Sequence, residues 1–164
     1  MARLYFLQRA WEPLGLSRHR RAIARGVKGT TLEIGVGTGF SLPYYTSAPL
    51  VACDPNLTML RKARRRARRL GMQTSFVVAR GEALPFAAGT FDTVVSEVVL
   101  CSVRSPEDVV AEVGRVLAPD GRFRCVEHGL ATRPGMAAVQ RAIAPIWARL
   151  FGGCRLDRDV IQPL

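Results

Sequence analysis

Short apolar runs and longer amphipathic stretches alternate along most of the chain. The short runs are rich in β-branched and aromatic residues and are bounded by turn residues, which is typical of strands. There are five: Thr30–Ile34, Leu50–Cys53, Ser75–Ala79, Phe91–Ser96 and Arg122–Glu127. Strands that alternate with helices in this rhythm form a parallel sheet covered on both faces. The pattern therefore predicts an α/β fold with a doubly wound, mostly parallel sheet of about five strands.

The helix that follows the second predicted strand has clear ends. Asn56 is suited to cap its first turn, and Gly71 is suited to the left-handed position after its last. Apolar residues recur at helical spacing between these ends and predict the buried face. They are Leu57, Leu60, Ala63, Ala67 and Leu70.

Two further helices are predicted in the second half of the chain. Ser105-Pro106-Glu107-Asp108 combines a capping serine, a proline at the first position and acids in the first turn. We expect this helix to reach about Leu117, and a turn at Asp120-Gly121 to lead into the fifth strand. The last amphipathic helix lies within Gly135–Phe151 and contains Pro145, a residue type that kinks helices.

The length of 164 residues fits a single domain, and no linker or repeat divides it. We predict an N-terminal helical lid over residues 1–28, a ligand-binding core over 29–128, and a C-terminal helix and tail over 129–164. No run of 18 apolar residues is present, and the N-terminus lacks the apolar stretch of a secretory signal.

Positive charge is concentrated in the first half of the chain. The net charge is +11, and residues 1–80 carry 15 basic and 3 acidic side chains. The run Arg61–Arg69 falls on the polar face of the helix after Asn56, so we interpret it as a solvated surface. Weak peripheral docking to an anionic membrane or to nucleic acid is the less favoured alternative.

The four cysteines are 48, 24 and 29 residues apart and form no CxxC pair. Such spacing predicts neither a disulfide framework nor a metal site. We therefore expect a reducing compartment, the cytoplasm.

A glycine-rich segment between the first strand and a predicted helix carries the clearest chemical signal. It reads Glu33-x-Gly35-x-Gly37-x-Gly39, and Phe40 occupies the position where a dinucleotide fingerprint has its third glycine. A helix N-terminus at this point can cradle a carboxylate. Asp54 ends the second strand 19 residues after Gly35, a position suited to binding two ribose hydroxyls. The alternative is a plain glycine-rich turn.

Several longer phrases resemble one enzyme family. Most of residues 30–130 resemble the class I S-adenosylmethionine-dependent methyltransferases, specifically the type 11 methyltransferase domain. The phrases that carry this resemblance are LEIGVGTG, VACDPNLTML, GEALPFAAGTFDTVVSEVVL and RVLAPDGRF. Three further phrases are similar to a small-molecule branch of this family that includes membrane-associated thiol methyltransferases. They are LCSVRSPEDVVAEVGRVL, VEHG and IAPIWARLFGGCRLDRD. The resemblance implies a Rossmann-like sheet and S-adenosyl-L-methionine as the cofactor.

The resemblance also implies a role for each residue of the cofactor site. The loop from Gly35 through Gly37 to Gly39 would wrap the methionine moiety, with Glu33 near its amino group. Asp54 would take the ribose hydroxyls. The adenine side would be formed by Asn56, Met59, Gly81, Glu82 and Ala83. The chain departs from the family at Arg80, where many relatives have an aspartate that accepts from the adenine amino group.

Three residues are candidates for the neighbourhood of the transferred methyl group. Ser96 and Glu97 end the fourth strand, and Glu97 is either catalytic or a solvated strand-end acid. His128 follows the fifth strand, and it either takes a proton from the acceptor or closes the strand end through a hydrogen bond. Cys101 is expected to pack as a small apolar residue.

These features predict methyl transfer from S-adenosylmethionine to a small, apolar acceptor that provides a thiol, hydroxyl, amine or carbon nucleophile. A non-catalytic cofactor-binding or nucleic-acid-associated domain is the alternative. The family sheet has seven strands, and we expect the final pair to be missing here. The Arg122–Glu127 strand would then be an exposed edge, so we expect a homodimer through it or cover from the Gly135–Phe151 helix.

Overall fold

A five-stranded parallel sheet organises the molecule, as the computed structural model shows for residues 16–46 and 49–160. The strands are β1 (Thr31–Ile34), β2 (Leu50–Cys53), β3 (Thr74–Val77), β4 (Phe91–Glu97) and β5 (Leu117–Val126). The helices are α1 (Leu16–Ala24), α2 (Leu57–Arg69), α3 (Pro106–Val116) and α4 (Pro134–Leu150). The strand order is β3-β2-β1-β4-β5, and all neighbours are parallel. The predicted α/β, Rossmann-like class is confirmed.

Helices cover both faces of the sheet, and each face has its own core. On one face Leu32 and Val94 pack with Val109 and Val113 of α3. On the other face Ala52 and Val95 pack with residues of α1 and α2, namely Ile23, Ala24, Leu60, Ala63 and Ala67. Because alternate residues of a strand point to opposite faces, one short strand supplies both cores.

The ends of α2 are as predicted, but its buried face is shorter than predicted. The Asn56 carboxamide accepts from the backbone N–H of Thr58 and Met59, and Gly71 has a φ of +67°. Leu57 and Leu70 are 49% and 45% exposed, so their assignment to the buried stripe was wrong. The buried residues are Met59, Leu60, Ala63 and Ala67. The two leucines lie at the helix ends, where the sheet no longer covers the helix.

Two other predicted boundaries were wrong. The glycine-rich segment is followed only by a 3-10 turn at Leu42–Tyr44 and not by an α-helix. The strand β5 begins at Leu117, so the predicted turn at Asp120-Gly121 lies inside it. A shift in register between Phe91 and Thr93 absorbs the irregularity. Residues 118–121 have no register partner in β4, so the residues that favour a turn form a bulge within the strand.

The strand β5 lies at one edge of the sheet, and none of its ten residues is fully buried. Arg124 Nη2 donates to the Ala22 carbonyl oxygen of α1 at 2.6 Å, so α1 packs beside this edge. The predicted lid segment before residue 16 lies outside the described residues. Among the described helices, none is both long and apolar enough to cross a bilayer.

Candidate active site

A cavity of about 740 Å³ opens along the carboxyl ends of the strands. This is the edge at which open α/β sheets bind ligands. The segments that follow all five strands contribute to its wall, and α1 and α4 close its sides. The predicted site residues on the wall are Glu33, Gly35, Gly37, Asp54, Asn56, Met59, Gly81, Glu82, Glu97 and His128.

The glycines of the loop after β1 serve different purposes. All three have positive φ, which favours glycine. A Cβ on Gly35 would lie 2.4 Å from Val99 Cγ2, and one on Gly39 would lie 2.6 Å from Leu42 Cδ1. A Cβ on Gly37 would meet only the Gly35 carbonyl oxygen, at 3.9 Å. Gly35 and Gly39 therefore permit close packing of the protein, and Gly39 lies off the cavity wall, whereas Gly37 leaves space for a ligand.

Asp54 connects the glycine-rich loop to the start of α2. Its Oδ2 accepts from the Gly37 N–H at 3.0 Å, and its Oδ1 accepts from the Asn56 N–H at 2.8 Å. Burial raises the pKa of this carboxyl, while the two backbone donors oppose the rise. Each oxygen retains a lone pair for a further donor, which suits binding of ribose hydroxyls.

Glu33 is a buried carboxyl beneath the same loop. Its Oε1 accepts from Ser41 Oγ, and its Oε2 meets no hydrogen-bond donor of suitable geometry among the described residues. Burial raises its pKa to about 7 although the Ser41 hydroxyl opposes the rise. The Tyr45 hydroxyl also interacts with this carboxyl and opposes the rise. A buried carboxylate oxygen without a well-placed donor is costly, so Oε2 is suited to bind a cationic or hydrogen-bonding ligand group.

The adenine side of the predicted site is only partly assembled. Glu82 lines the cavity, but its Oε1 accepts from the Arg104 N–H at 3.1 Å and from Arg80 Nη2 at 3.4 Å. Burial would raise the pKa of this carboxyl, but these donors and the Glu82 backbone N–H outweigh burial and lower the pKa. Ala83 is exposed and lies outside the cavity wall. Arg80, which stands where many relatives have an aspartate, thus forms an ion pair with Glu82, the acid that could replace that aspartate.

The strand β4 ends in a strained turn at the other side of the cavity. Val98 has a φ of +56°, which is unusual for a β-branched residue and occurs mainly where function requires it. Glu127 holds this turn, because its Oε1 accepts from Ser96 Oγ at 3.0 Å and from the Val99 N–H at 2.9 Å. Ser96 is fully buried and lies behind the cavity wall. Its side chain therefore positions Glu127.

Glu97 forms an ion pair with Arg20 of α1, and both side chains line the cavity. The Arg20 guanidinium also lies 5.3 Å from the centre of the Phe40 ring, and that of Arg66 lies 4.3 Å from it. The sequence did not single out Arg20, because it stands in a basic run that resembles an ordinary solvated helix face. Only the packing of α1 reveals its place.

His128 meets two cysteines at the end of the cavity formed by β5 and α4. Its Nδ1 lies 3.4 Å from Cys154 Sγ, which lies 3.3 Å from Cys101 Sγ. Hydrogen bonding with Cys101 raises the pKa of His128, and burial opposes this. The rings of Trp147 and Phe151, stacked with centres 4.0 Å apart, complete this wall. Cys154 and Trp147 were missed, since nothing in their spacing marks them.

Comparison with known proteins now decides the family. A model described as a methyltransferase domain matches residues 32–125. The chain belongs to the class I S-adenosylmethionine-dependent methyltransferases. It is 39% identical over 138 residues to human thiol S-methyltransferase TMT1A, covering 80% of this chain and 56% of that protein. It is 38% identical over 124 residues to phosphatidylethanolamine N-methyltransferase of Cereibacter sphaeroides, covering 74% of this chain and 60% of that one.

Solved structures support the same fold. A putative methyltransferase from Bacillus halodurans matches with a TM-score of 0.71 and 21% identity, covering 85% of this chain and 62% of that one. The chain spans 55–62% of the length of the rat and human thiol S-methyltransferases, the phosphatidylethanolamine N-methyltransferase and the Bacillus halodurans protein. The cofactor of this family is S-adenosylmethionine. The site fits it, because Gly37 leaves room for the methionine moiety, Glu33 Oε2 awaits a donor and Asp54 retains free lone pairs.

Proposed function

We propose that the protein transfers a methyl group from S-adenosylmethionine to a small acceptor. One observation carries this proposal: a single cavity joins the Gly37 loop to the wall formed by Glu97, His128 and Trp147. A cofactor seated at the first end would direct its methyl group toward the second. The alternative, a cofactor-binding domain without catalysis, does not account for the aromatic wall at that second end.

Alignment is the main contribution that the protein makes to this reaction. The cofactor supplies an activated methyl group on a sulfonium. Holding a nucleophile in line with the S–CH3 bond can lower the barrier by roughly 7–11 kcal/mol. Gly37, Asp54 and Glu33 would fix the cofactor, and the wall of Trp147 and Phe151 would exclude water and orient the acceptor.

Glu97 and His128 are the proposed polar groups at the acceptor. Glu97 forms an ion pair with Arg20 on the cavity wall, and we propose that Glu97 positions the acceptor and adds negative potential near the methyl group. His128 lines the cavity and is the proposed proton acceptor for a nucleophile that arrives protonated.

We propose a thiol as the acceptor class. The similar human and rat proteins are named thiol S-methyltransferases. The rings of Trp147 and Phe151 give this end of the cavity an apolar surface, which suits a small apolar thiol, whose pKa near 8.5 requires only modest help with ionisation.

Calorimetry and a product assay test the proposal together. The protein should bind S-adenosylmethionine and its demethylated product, S-adenosylhomocysteine, and should not bind NAD. Incubation with S-adenosylmethionine and a panel of small alkyl and aryl thiols should yield the S-methyl product and S-adenosylhomocysteine in equal amounts by mass spectrometry. Binding without turnover of any thiol, amine or hydroxyl acceptor would favour the non-catalytic alternative.

We propose the cytoplasm as the location, because all four cysteines are free. Fractionation of the tagged full chain should place it with the soluble proteins. Recovery in the membrane fraction that is released by salt would instead favour electrostatic docking through the arginines of α2.

A homodimer through the β5 edge is the proposed assembly. Half-buried Phe123 and Cys125 alternate along this edge with Arg122 and Arg124. Sedimentation of the protein at rising concentration should show a dimer. Cys125→Pro should abolish pairing between the two β5 edges, because proline lacks the backbone N–H that a neighbouring strand needs. Cys125 is chosen over Phe123 because it lies nearer the strand end and the Phe123 side chain helps the strand pack. A monomer at all concentrations would contradict this assembly.

A further inference from the structure

Three metal-binding side chains, far apart in the sequence, meet beside the acceptor end of the cavity. Cys101 follows β4, His128 follows β5 and Cys154 follows α4. One ligand atom of each lies within 4.8 Å of the others. We propose that Cys101, His128 and Cys154 form a zinc site with an open fourth position toward the cavity. The site was hidden from sequence analysis because no two of these residues share a short motif.

Two of the three distances lie close to those of a zinc site. Bonds of about 2.3 Å to sulfur and 2.0–2.1 Å to nitrogen in a tetrahedron place two sulfur atoms about 3.8 Å apart, and sulfur and nitrogen about 3.5 Å apart. The corresponding distances here are 3.3 Å between the two sulfur atoms and 3.4 Å from Cys154 Sγ to His128 Nδ1. The ligand atoms of Cys101 and His128 lie within 4.8 Å of each other, so this third pair would adjust around the ion.

The backbone around the cluster holds its members in place. The Arg155 N–H donates to the Cys101 carbonyl oxygen at 2.8 Å, which ties the segment after α4 to the segment after β4. Arg158 Nη1 reinforces this connection by donating to the carbonyl oxygens of Leu100 and Val103, at 3.0 and 2.6 Å. Ligands on fixed backbone lose little freedom when a metal binds, so the affinity is higher than for the same residues on mobile loops.

The type of donor selects the metal. Two thiolates and one imidazole suit zinc, whereas magnesium and calcium require oxygen ligands. Cys101 is fully buried and Cys154 is 4% exposed. Three protein ligands leave the fourth tetrahedral position to water or substrate, which is the arrangement of catalytic zinc sites.

The fourth position would face the acceptor, since His128 and Cys154 line the cavity. We infer that it takes a small thiol, and this part rests on the proposed function. The thiol sulfur would displace the bound water and bond to zinc, while its proton passes to solvent. The resulting thiolate would then form the S–CH3 bond as the bond between the sulfonium and the methyl carbon breaks. With zinc bound, the metal would lower the acceptor pKa and His128 would be its ligand; only in the metal-free protein would His128 keep the role of proton acceptor given above.

Metal binding is measured on the full chain after reduction and treatment with a chelator. Titration with Zn²⁺ against a chromophoric competitor should show one equivalent bound. Co²⁺ in its place should give the visible bands of tetrahedral cobalt and a thiolate charge-transfer band. Cys101→Ser, Cys154→Ser and His128→Ala should each weaken Zn²⁺ binding by about 100-fold or more. Cys125→Ser, a half-buried cysteine outside the cluster, is the matched control and should bind as the parent does.

The open position is tested on the cobalt protein with 2-mercaptoethanol as the probe. Its addition should intensify and shift the charge-transfer band as a third sulfur binds. An unchanged spectrum would overturn the open position. Failure of the reduced protein to bind Zn²⁺ or Co²⁺ would overturn the site. The same conclusion would follow if the reduced protein bound no metal and air then oxidised Cys101 and Cys154 to a disulfide.

Calorimetry with S-adenosylhomocysteine on the same preparations separates this inference from the proposed function. The ligand-site variants should retain their affinity for it, which also shows that they fold. Normal S-adenosylhomocysteine binding and thiol methylation without bound metal would reject the zinc site alone. Bound zinc without S-adenosylhomocysteine binding would reject the proposed function and leave the metal site standing.

Discussion

The two ends of the cavity are built in different ways. At the cofactor end, Glu33, Gly37 and Asp54 come from neighbouring strands and lie within 22 positions of one another in the sequence. At the acceptor end, Arg20, Glu97, His128 and the cysteines come from segments spread over most of the chain. The first end depends on backbone shape and the second on side chains that meet only after folding. Substitutions should therefore separate binding from turnover.

His128→Ala should have the largest effect on turnover and little effect on the cofactor. Loss of a proton acceptor or of a zinc ligand should each lower turnover by about 10²–10⁴. The cofactor end does not contact His128, so the affinity for S-adenosylhomocysteine should stay within about twofold of the parent. Steady-state kinetics with a thiol acceptor and calorimetry measure the two quantities. A parallel loss of both would mean that His128 only braces the end of β5.

Gly35→Ala should damage both ends, because Gly35 packs against Val99 of the acceptor side. The positive φ costs about 1–2 kcal/mol for alanine, and the close approach to Val99 Cγ2 adds about 1–3 kcal/mol. Gly71→Ala is the matched control, with a φ of +67° and nothing within 4 Å of the added Cβ. Urea denaturation should show that Gly35→Ala lowers the free energy of unfolding at least twice as much as Gly71→Ala does. Equal losses would show that the contact with Val99 is unimportant.

Asp54→Ala should affect cofactor binding selectively. Each charge-assisted hydrogen bond to the ribose contributes roughly 1.5–3 kcal/mol. Loss of the carboxylate that accepts from the Gly37 and Asn56 N–H groups should also loosen the loop. Calorimetry should show S-adenosylhomocysteine binding weakened by about 10–100-fold or more, while Zn²⁺ binding remains normal. Unchanged affinity would place the ribose elsewhere in the cavity.

The same contrast explains what could be predicted from the sequence. The alternation of strands and helices, the cap at Asn56 and the placement of Asp54 follow from local patterns whose physical requirements involve only nearby residues. The ion pair of Arg20 with Glu97 and the cluster around Cys154 depend on how α1 and α4 pack, and no local pattern encodes that. The missed start of β5 has a related cause, because Leu117 pairs with Phe91 of β4 on the far side of a bulge that contains the residues that favour a turn.

Glu33→Gln should have the smallest effect and should act in opposite directions on stability and binding. Burial raises the pKa of Glu33 from 4.5 to about 7, so the folded state retains a proton that the unfolded state loses between these values. Stability of the ligand-free protein therefore falls as the pH rises through this window, by about 3 kcal/mol in total. Glutamine avoids this cost, so the free energy of unfolding of the variant should be about 1–3 kcal/mol higher than that of the parent at pH 8 and unchanged at pH 4.

Glu112→Gln is the opposite control. Hydrogen bonding to Arg115 lowers the pKa of Glu112 to about 2, so loss of this carboxylate should lower the free energy of unfolding at pH 8. Since the neutral amide cannot pair with the cofactor ammonium, S-adenosylhomocysteine should bind Glu33→Gln more weakly at pH 8. Urea denaturation at both pH values and calorimetry at pH 8 make the comparison, and an equal gain at pH 4 and pH 8 would show that ionisation of Glu33 is not the cause.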